Sequence, residues 1–316
     1  MIILLAFVGL FLGGYSGFIS QAAYADDQQM DPESSIEPSI QPDIQEDLPD
    51  NAWSYSVPTD VAPGRSVDFP SVEDPSFFQR FGMSYFGVLF GPALRNATAY
   101  QPTPFGTPDK TKPIIMKNFL SLSYGISENI AASVTGYWIW QPVLGQQIYW
   151  QDPFVRLSYN SIFNSGGWNL YGDIRIHPSL TSISRQNQLY LGVQSFQALT
   201  YEFSGTRLML GLYASERTNF FGPKGYGSDF EFYLAPNLMY QISPTVAFSL
   251  LYEAQAFHRF GDKVGRWYND GSGLEPGLTW QVTPRVTLNP YLHISTGGII
   301  NMKSTSFGMW LNWVLL

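Results

Sequence analysis

From Phe77 to the C-terminus the chain alternates apolar and polar residues with a period of two, in runs much longer than ordinary strands. Twelve such runs are predicted, approximately 82–91, 116–126, 129–139, 151–161, 167–177, 188–203, 206–216, 229–242, 245–257, 273–282, 285–295 and 304–316. Typical strands have about five or six residues, and a membrane-crossing strand has about 9–11. Two segments show what the alternation demands. Leu234–Val246 (LAPNLMYQISPTV) and Leu274–Val286 (LEPGLTWQVTPRV) keep every second position apolar or aromatic. The positions between differ, as in Ala235 against Glu275 and Thr245 against Arg285. Successive side chains of a strand point to opposite sides of the sheet. One side is therefore held to a single requirement, and the other is free to vary.

The connections alternate in length. Short ones lie at Ser127–Glu128, Ser204–Gly205, Ser243–Pro244 and Thr283–Pro284, with a slightly longer one at Phe163–Gly166. Long ones span 92–115, 141–150, 178–187, 217–228, 258–272 and 296–303. This pattern predicts an antiparallel up-and-down barrel of about twelve strands, with ten to fourteen compatible with the run lengths. Tight turns occupy one rim and loops the other, and an even strand number brings both chain ends to the tight-turn side.

Composition decides which face looks outward. Charged residues make up 13% of the chain, against about 25% in a soluble domain, and aromatics make up 16%. The in-strand charges Lys117, Arg156, Asp173, Arg175, Glu202, Arg207, Glu231, Glu253, Glu275 and Arg285 share the variable face, which is otherwise rich in Gly, Ser, Thr, Asn, Gln and Tyr. That composition suits a lumen. A charge on the opposite face near the middle of a bilayer costs about 2–4 kcal/mol, which accounts for its absence there. Tyr124, Tyr159, Trp168, Tyr201, Tyr240, Trp280 and Trp313 lie near tight turns or the C-terminus; Trp138, Trp140, Trp150, Phe220, Phe221 and Trp267 lie near long loops. Two such belts suit two membrane–water interfaces. The expected fold is all-β, a transmembrane antiparallel barrel over 78–316.

The N-terminal part is of another kind. Met1–Ile19 is almost wholly apolar, and the small-x-small Ala23–Ala25 (AYA) precedes Asp26, so 1–25 reads as a secretory signal. No Lys or Arg precedes the apolar run, and an uncleaved membrane anchor is the alternative. Residues 26–77 read as a disordered acidic leader. Thirteen acidic residues and one basic, Arg65, fall within 26–74. That segment carries −12 of the total −8, so the remainder is +4 and shows no basic stripe for nucleic acid. The chain has no cysteine, which excludes disulfides and thiolate chemistry.

The last run carries a further signature. SFGMWLNW at Ser306–Trp313 reads polar-x-Gly-x-x-apolar-x-aromatic. It resembles the C-terminal assembly signal of Gram-negative outer-membrane β-barrel proteins, a porin-like superfamily, with Ser306, Gly308, Leu311 and Trp313 at the matching positions. Val314, Leu315 and Leu316 follow, where many members end on the aromatic. The resemblance covers roughly residues 80–316. It implies the outer membrane, recognition by the barrel-assembly machinery, contact with outer-membrane lipid, periplasmic chain ends and external loops. It does not imply a substrate, and the oligomeric state stays open.

Several chemical patterns bear on function. His293–Ser295 (HIS) resembles the His-x-Ser of outer-membrane lipid hydrolases, but parity places both side chains in the lumen rather than toward lipid, and Asn301 is a loose candidate for the orienting group. No enzyme activity is expected. His177, His258 and His293 show no ligand spacing, so neither metal nor cofactor is expected. GPKGYG at Gly222–Gly227 lacks the strand and helix of a phosphate loop. Counting from a turn near Asn164–Ser165 sets Arg156 opposite Asp173. Glu231, Glu253 and Glu275 recur every 22 residues on adjacent strands at roughly similar heights. They are expected to form an acidic wall facing Lys117, Arg156 and Arg175 at a constriction. The leading expectation is a narrow channel for small polar or ionic solutes. The alternative is a non-conducting structural or surface-interaction barrel closed by loops or by Tyr171, Tyr190, Phe196, Tyr213, Tyr233 and Tyr291. A lipid hydrolase is third.

Overall fold

The structure is a computed structural model that describes residues 80–94, 114–143, 146–296, 302 and 305–316. The expected signal (1–25), the acidic leader (26–77) and Asn301 lie outside the described residues. In chain order the strands are β1 (Phe81–Ala93), β2 (Ile115–Gly125), β3 (Ile130–Gln141), β4 (Gln147–Trp150), β5 (Phe154–Ser165), β6 (Trp168–Pro178) and β7 (Leu189–Glu202). Then follow β8 (Leu208–Phe221), β9 (Ser228–Ser243), β10 (Val246–Arg259), β11 (Trp267–Thr283), β12 (Val286–Ser295) and β13 (Thr305–Val314). A short helix, α1 (Ser182–Gln186), lies between β6 and β7.

All pairings are antiparallel, and β1 pairs with β13, which closes the sheet. β4 and β5 lie one after the other along one edge of β3: Trp138 pairs with Trp150, and Thr135 with Phe154. They form one stave broken at Gln151–Pro153, where Pro153 has no N–H to give the ladder. The result is the expected closed up-and-down barrel of twelve staves. Strand boundaries differ most at the loop rim. β8 continues to Phe221 and β11 starts at Trp267, so residues expected in loops extend the wall instead. Beside them, the loop before β7 is tied down by Asp152 on the β4–β5 break. Its carboxylate accepts from Leu180 N (2.8 Å), Thr181 N (2.7 Å) and the Ser184 hydroxyl.

The two faces follow the sequence parity. On β9, Glu231, Tyr233, Ala235, Asn237 and Met239 point inward and are buried, while Pro236, Tyr240 and Ile242 are exposed. β10 alternates in the same way, with Ala247, Ser249, Leu251, Glu253, Gln255 and Phe257 inward. The outer surface carries exposed Leu122, Val134, Val155, Ile174, Leu212 and Leu278. The rings of Trp168 and Tyr201 lie 4.6 Å apart, tilted to each other, near the tight-turn rim, and Trp138 lies 5.7 Å from Trp150 near the loop rim.

The core sits inside the barrel. One apolar cluster draws Phe86 and Phe90 from β1, Phe119 from β2, Ile139 from β3, Phe154 from β5, Phe196 from β7 and Tyr233 from β9. A second, of Met209, Met239 and Ala247, fills the tight-turn end of β8–β10. The first takes members from opposite walls, so the middle of the lumen is packed.

Four readings of the sequence are corrected. Arg156 stands opposite Arg175, and Asp173 opposite Ser158. The turn falls at Gly166–Gly167, and a bulge between Tyr159 and Phe163 shifts the register. Tyr190 is 65% exposed rather than inward, because a bulge between Leu189 and Leu191 turns it out. Phe221 packs on Phe260 (5.3 Å) with inward parity and is not part of an outer belt. The carboxylates Glu231, Glu253 and Glu275 do not share a level. Glu231 pairs in register with Phe257, four residues from Glu253 toward the loops, which is about 13 Å along the strand.

Candidate functional site: a buried polar interior

The charged side chains expected at a constriction are all inside the barrel, and all are almost wholly enclosed. Arg175 is 0% exposed, Lys117 1%, Glu231 2%, Glu253 and Glu275 3%, and Arg156 5%. They fall into separate groups rather than two facing walls.

On β6, Arg175 binds Asp173 two residues away with both oxygens engaged: Nε–Oδ1 is 2.7 Å and Nη2–Oδ2 is 2.8 Å. The Tyr171 hydroxyl donates to the same carboxylate at 3.0 Å. The guanidinium lies over the rings of Phe154 (5.5 Å) and Phe196 (5.6 Å). Side chains at i and i+2 share a face of a strand, so this pair needs no help from register. Arg156 donates to the Ser133 hydroxyl at 3.0 Å across the β3–β5 pair. Lys117 sits over the Phe90 ring at 5.7 Å.

Glu231 belongs to the loop end of β8 and β9. It accepts from the Ser228 hydroxyl and from Asn219 (3.4 Å), and Arg217 stands opposite on β8. Arg217 in turn donates to Asn219 at 2.9 Å.

The third group was not legible as a group. Leu251 pairs with Glu275 and Glu253 with Gly273 across β10–β11, so the two carboxylates lie on a diagonal. The β11–β12 register, with Leu274 opposite Ile294 and Gly277 opposite Tyr291, brings His293 beside Glu275. His293 Nδ1 is 2.9 Å from Glu275 Oε1 and 3.7 Å from Glu253 Oε1. One atom from each of the three residues lies within 4.8 Å of the others. Tyr233 donates to Glu253 Oε2 at 3.3 Å, while Glu253 Oε1 is buried without a hydrogen bond. Gly273 makes room for the imidazole: a Cβ there would fall 2.3 Å from the ring. A signal was present in the sequence, the 22-residue recurrence of Glu. His293 joins it only through a register that no spacing reveals.

His293 is turned to these carboxylates rather than to Ser295. The other histidines are elsewhere: His177 contacts Gln194 at 3.0 Å, and His258 contacts Asp229 at the loop rim. The expected assembly-signal residues lie on β13. Ser306 and Gly308 are inward and buried, while Leu311 and Trp313 take the outward parity. Gly222–Gly227 forms the β8–β9 turn, as a connecting loop should.

No family model matches this chain, and no curated protein matches it.

Proposed function

We propose that the chain is an outer-membrane barrel that does not conduct, serving as a membrane-anchored structural or surface-interaction body. One observation carries the choice over a channel: the apolar cluster that runs from the β1–β3 wall to β7–β10, with charged side chains enclosed around it. A water-filled channel needs lumen side chains that keep contact with water. Here the inward charges are shut away from bulk water, and Arg175 is paired with Asp173.

The membrane reading draws on the exposed apolar outer face and on strand length. Glu216, an outward carboxylate at the last position of the run expected over 206–216, fits this reading. A strand tilted about 40° climbs roughly 2.5 Å per residue along the axis. Glu216 stands about ten residues above the turn at Phe203–Arg207, near the upper edge of an apolar band about 25 Å tall. Long strands of β8–β11 would then rise beyond the band and present the loop rim for interaction. The sequence features that favour the outer membrane are the AYA site and the Ser306–Trp313 motif.

Cell fractionation and liposome swelling test the proposal together. The expected result is outer-membrane recovery and no uptake of small sugars or ions by proteoliposomes. Recovery in a soluble fraction removes the membrane reading, and rapid solute uptake restores the channel.

A further inference from the structure

We propose that Glu253, Glu275 and His293 form a binding site for one divalent first-row transition-metal ion, of the zinc class, inside the barrel. Three observations lead there. The first is geometry. With metal–ligand bonds of about 2.0–2.2 Å, tetrahedral ligands stand roughly 3.3 Å apart. His293 Nδ1 lies 2.9 Å and 3.7 Å from the two carboxylate oxygens, on either side of that value.

The second is charge. Two carboxylates share one enclosed space, each 3% exposed. Among the described residues, neither forms an ion pair with a lysine or arginine. Buried charges are ordinarily paired or bound to a metal. Arg175, by contrast, has its own carboxylate in the same barrel. The third is the unused valence. Glu253 Oε1, turned toward His293, is buried with no hydrogen-bond donor.

The ligand set selects the ion. One imidazole and two carboxylates suit zinc, manganese or iron, whereas calcium takes six to eight oxygens. A small cavity on the Glu275 side of the site, bordered by Asn289 and Tyr291, has room for about one water. Tyr233, donating to Glu253 Oε2, orients that carboxylate from outside the coordination sphere. The ligands come from β10, β11 and β12, so the ion would join three neighbouring staves, and it enters as the barrel closes. The inference is independent of conduction, because metal content is read on the folded protein in detergent.

The test is direct. The full chain is stripped with a chelator, refolded in detergent with zinc, magnesium or calcium, desalted, and its metal measured by mass spectrometry. About one zinc per chain is expected, with neither magnesium nor calcium retained. Zinc should raise the thermal unfolding midpoint of the wild type and leave that of Glu253→Gln/Glu275→Gln unchanged. Should that variant fail to fold, the cobalt form of the wild type decides. Strong visible absorption of a low-coordinate site supports the inference, and the faint spectrum of hexa-aqua cobalt overturns it. No retained zinc in the wild type, meaning a proton-sharing cluster alone, also overturns it, as does zinc kept undiminished by the folded variant.

Discussion

The ring of Tyr291 on β12 lies against the backbone of Gly308 on β13, so closely that a Cβ at 308 would come within 2.2 Å of it. This gives the glycine of the C-terminal motif a packing role in the folded barrel, at the strand that closes onto β1. Gly308→Ala is expected to cost about 1–3 kcal/mol through overpacking. Tyr291→Phe, which keeps the ring, should cost less than about 1 kcal/mol. Urea unfolding in detergent micelles measures both. Equal stability of Gly308→Ala and wild type would show that the contact carries no weight.

The packed lumen makes its own demand. Phe196 is 0% exposed and meets Tyr171, Tyr213 and the Arg175 guanidinium. Phe196→Ala should destabilise by about 3–5 kcal/mol, as a cavity in any dense core does. In a water-filled lumen the same truncation would cost little. Equilibrium unfolding separates the two outcomes.

The Asp173–Arg175 pair is enclosed on both sides, with each side chain 0% exposed. Removing one partner leaves the other charge stranded, so Asp173→Asn should cost about 3–5 kcal/mol. The double substitution Asp173→Leu/Arg175→Leu should recover much of that loss. A double-mutant cycle that finds the single changes additive would place the two charges in independent contacts.

Lipid contact is tested at the outer face. Leu238 lies between Pro236 and Tyr240 in the outward row of β9, and Leu238→Arg should cost about 2–4 kcal/mol in a bilayer. Thr218→Arg, also outward but nearer the loop rim, should cost at most about 1 kcal/mol. Folding into liposomes reads the difference. Equal costs at the two positions would argue against an apolar band ending between them.

The fold was legible because its main requirement is local. A period of two over long runs needs only the chain itself, and Phe230 to Ile242 shows it without reference to any partner. The interior was less legible because it depends on register. The turn at Gly166–Gly167, later than Asn164–Ser165, would alone set Arg156 opposite His177; the bulge at Tyr159–Phe163 brings it back to Arg175, and no residue type in that stretch announces the bulge. β4 passed as loop and the break before Phe154 as the start of a strand, and the inward parity changes across it: Trp150 is exposed, whereas Phe154 is buried. The closed lumen was half visible. Tyr171, Phe196, Tyr213, Tyr233 and Tyr291 were readable as inward and bulky, but whether they meet across the barrel depends on its diameter. Glu253, Glu275 and His293 converge only after three strands have paired.

Planar-bilayer conductance of the purified barrel tests the central claim most directly, with insertion verified by flotation of the same preparation in proteoliposomes. A barrel packed by Phe90, Phe119, Phe154, Phe196 and Tyr233 should insert and give no steady conductance under salt gradients of either direction. A stable, reproducible open level from inserted wild-type protein would contradict it.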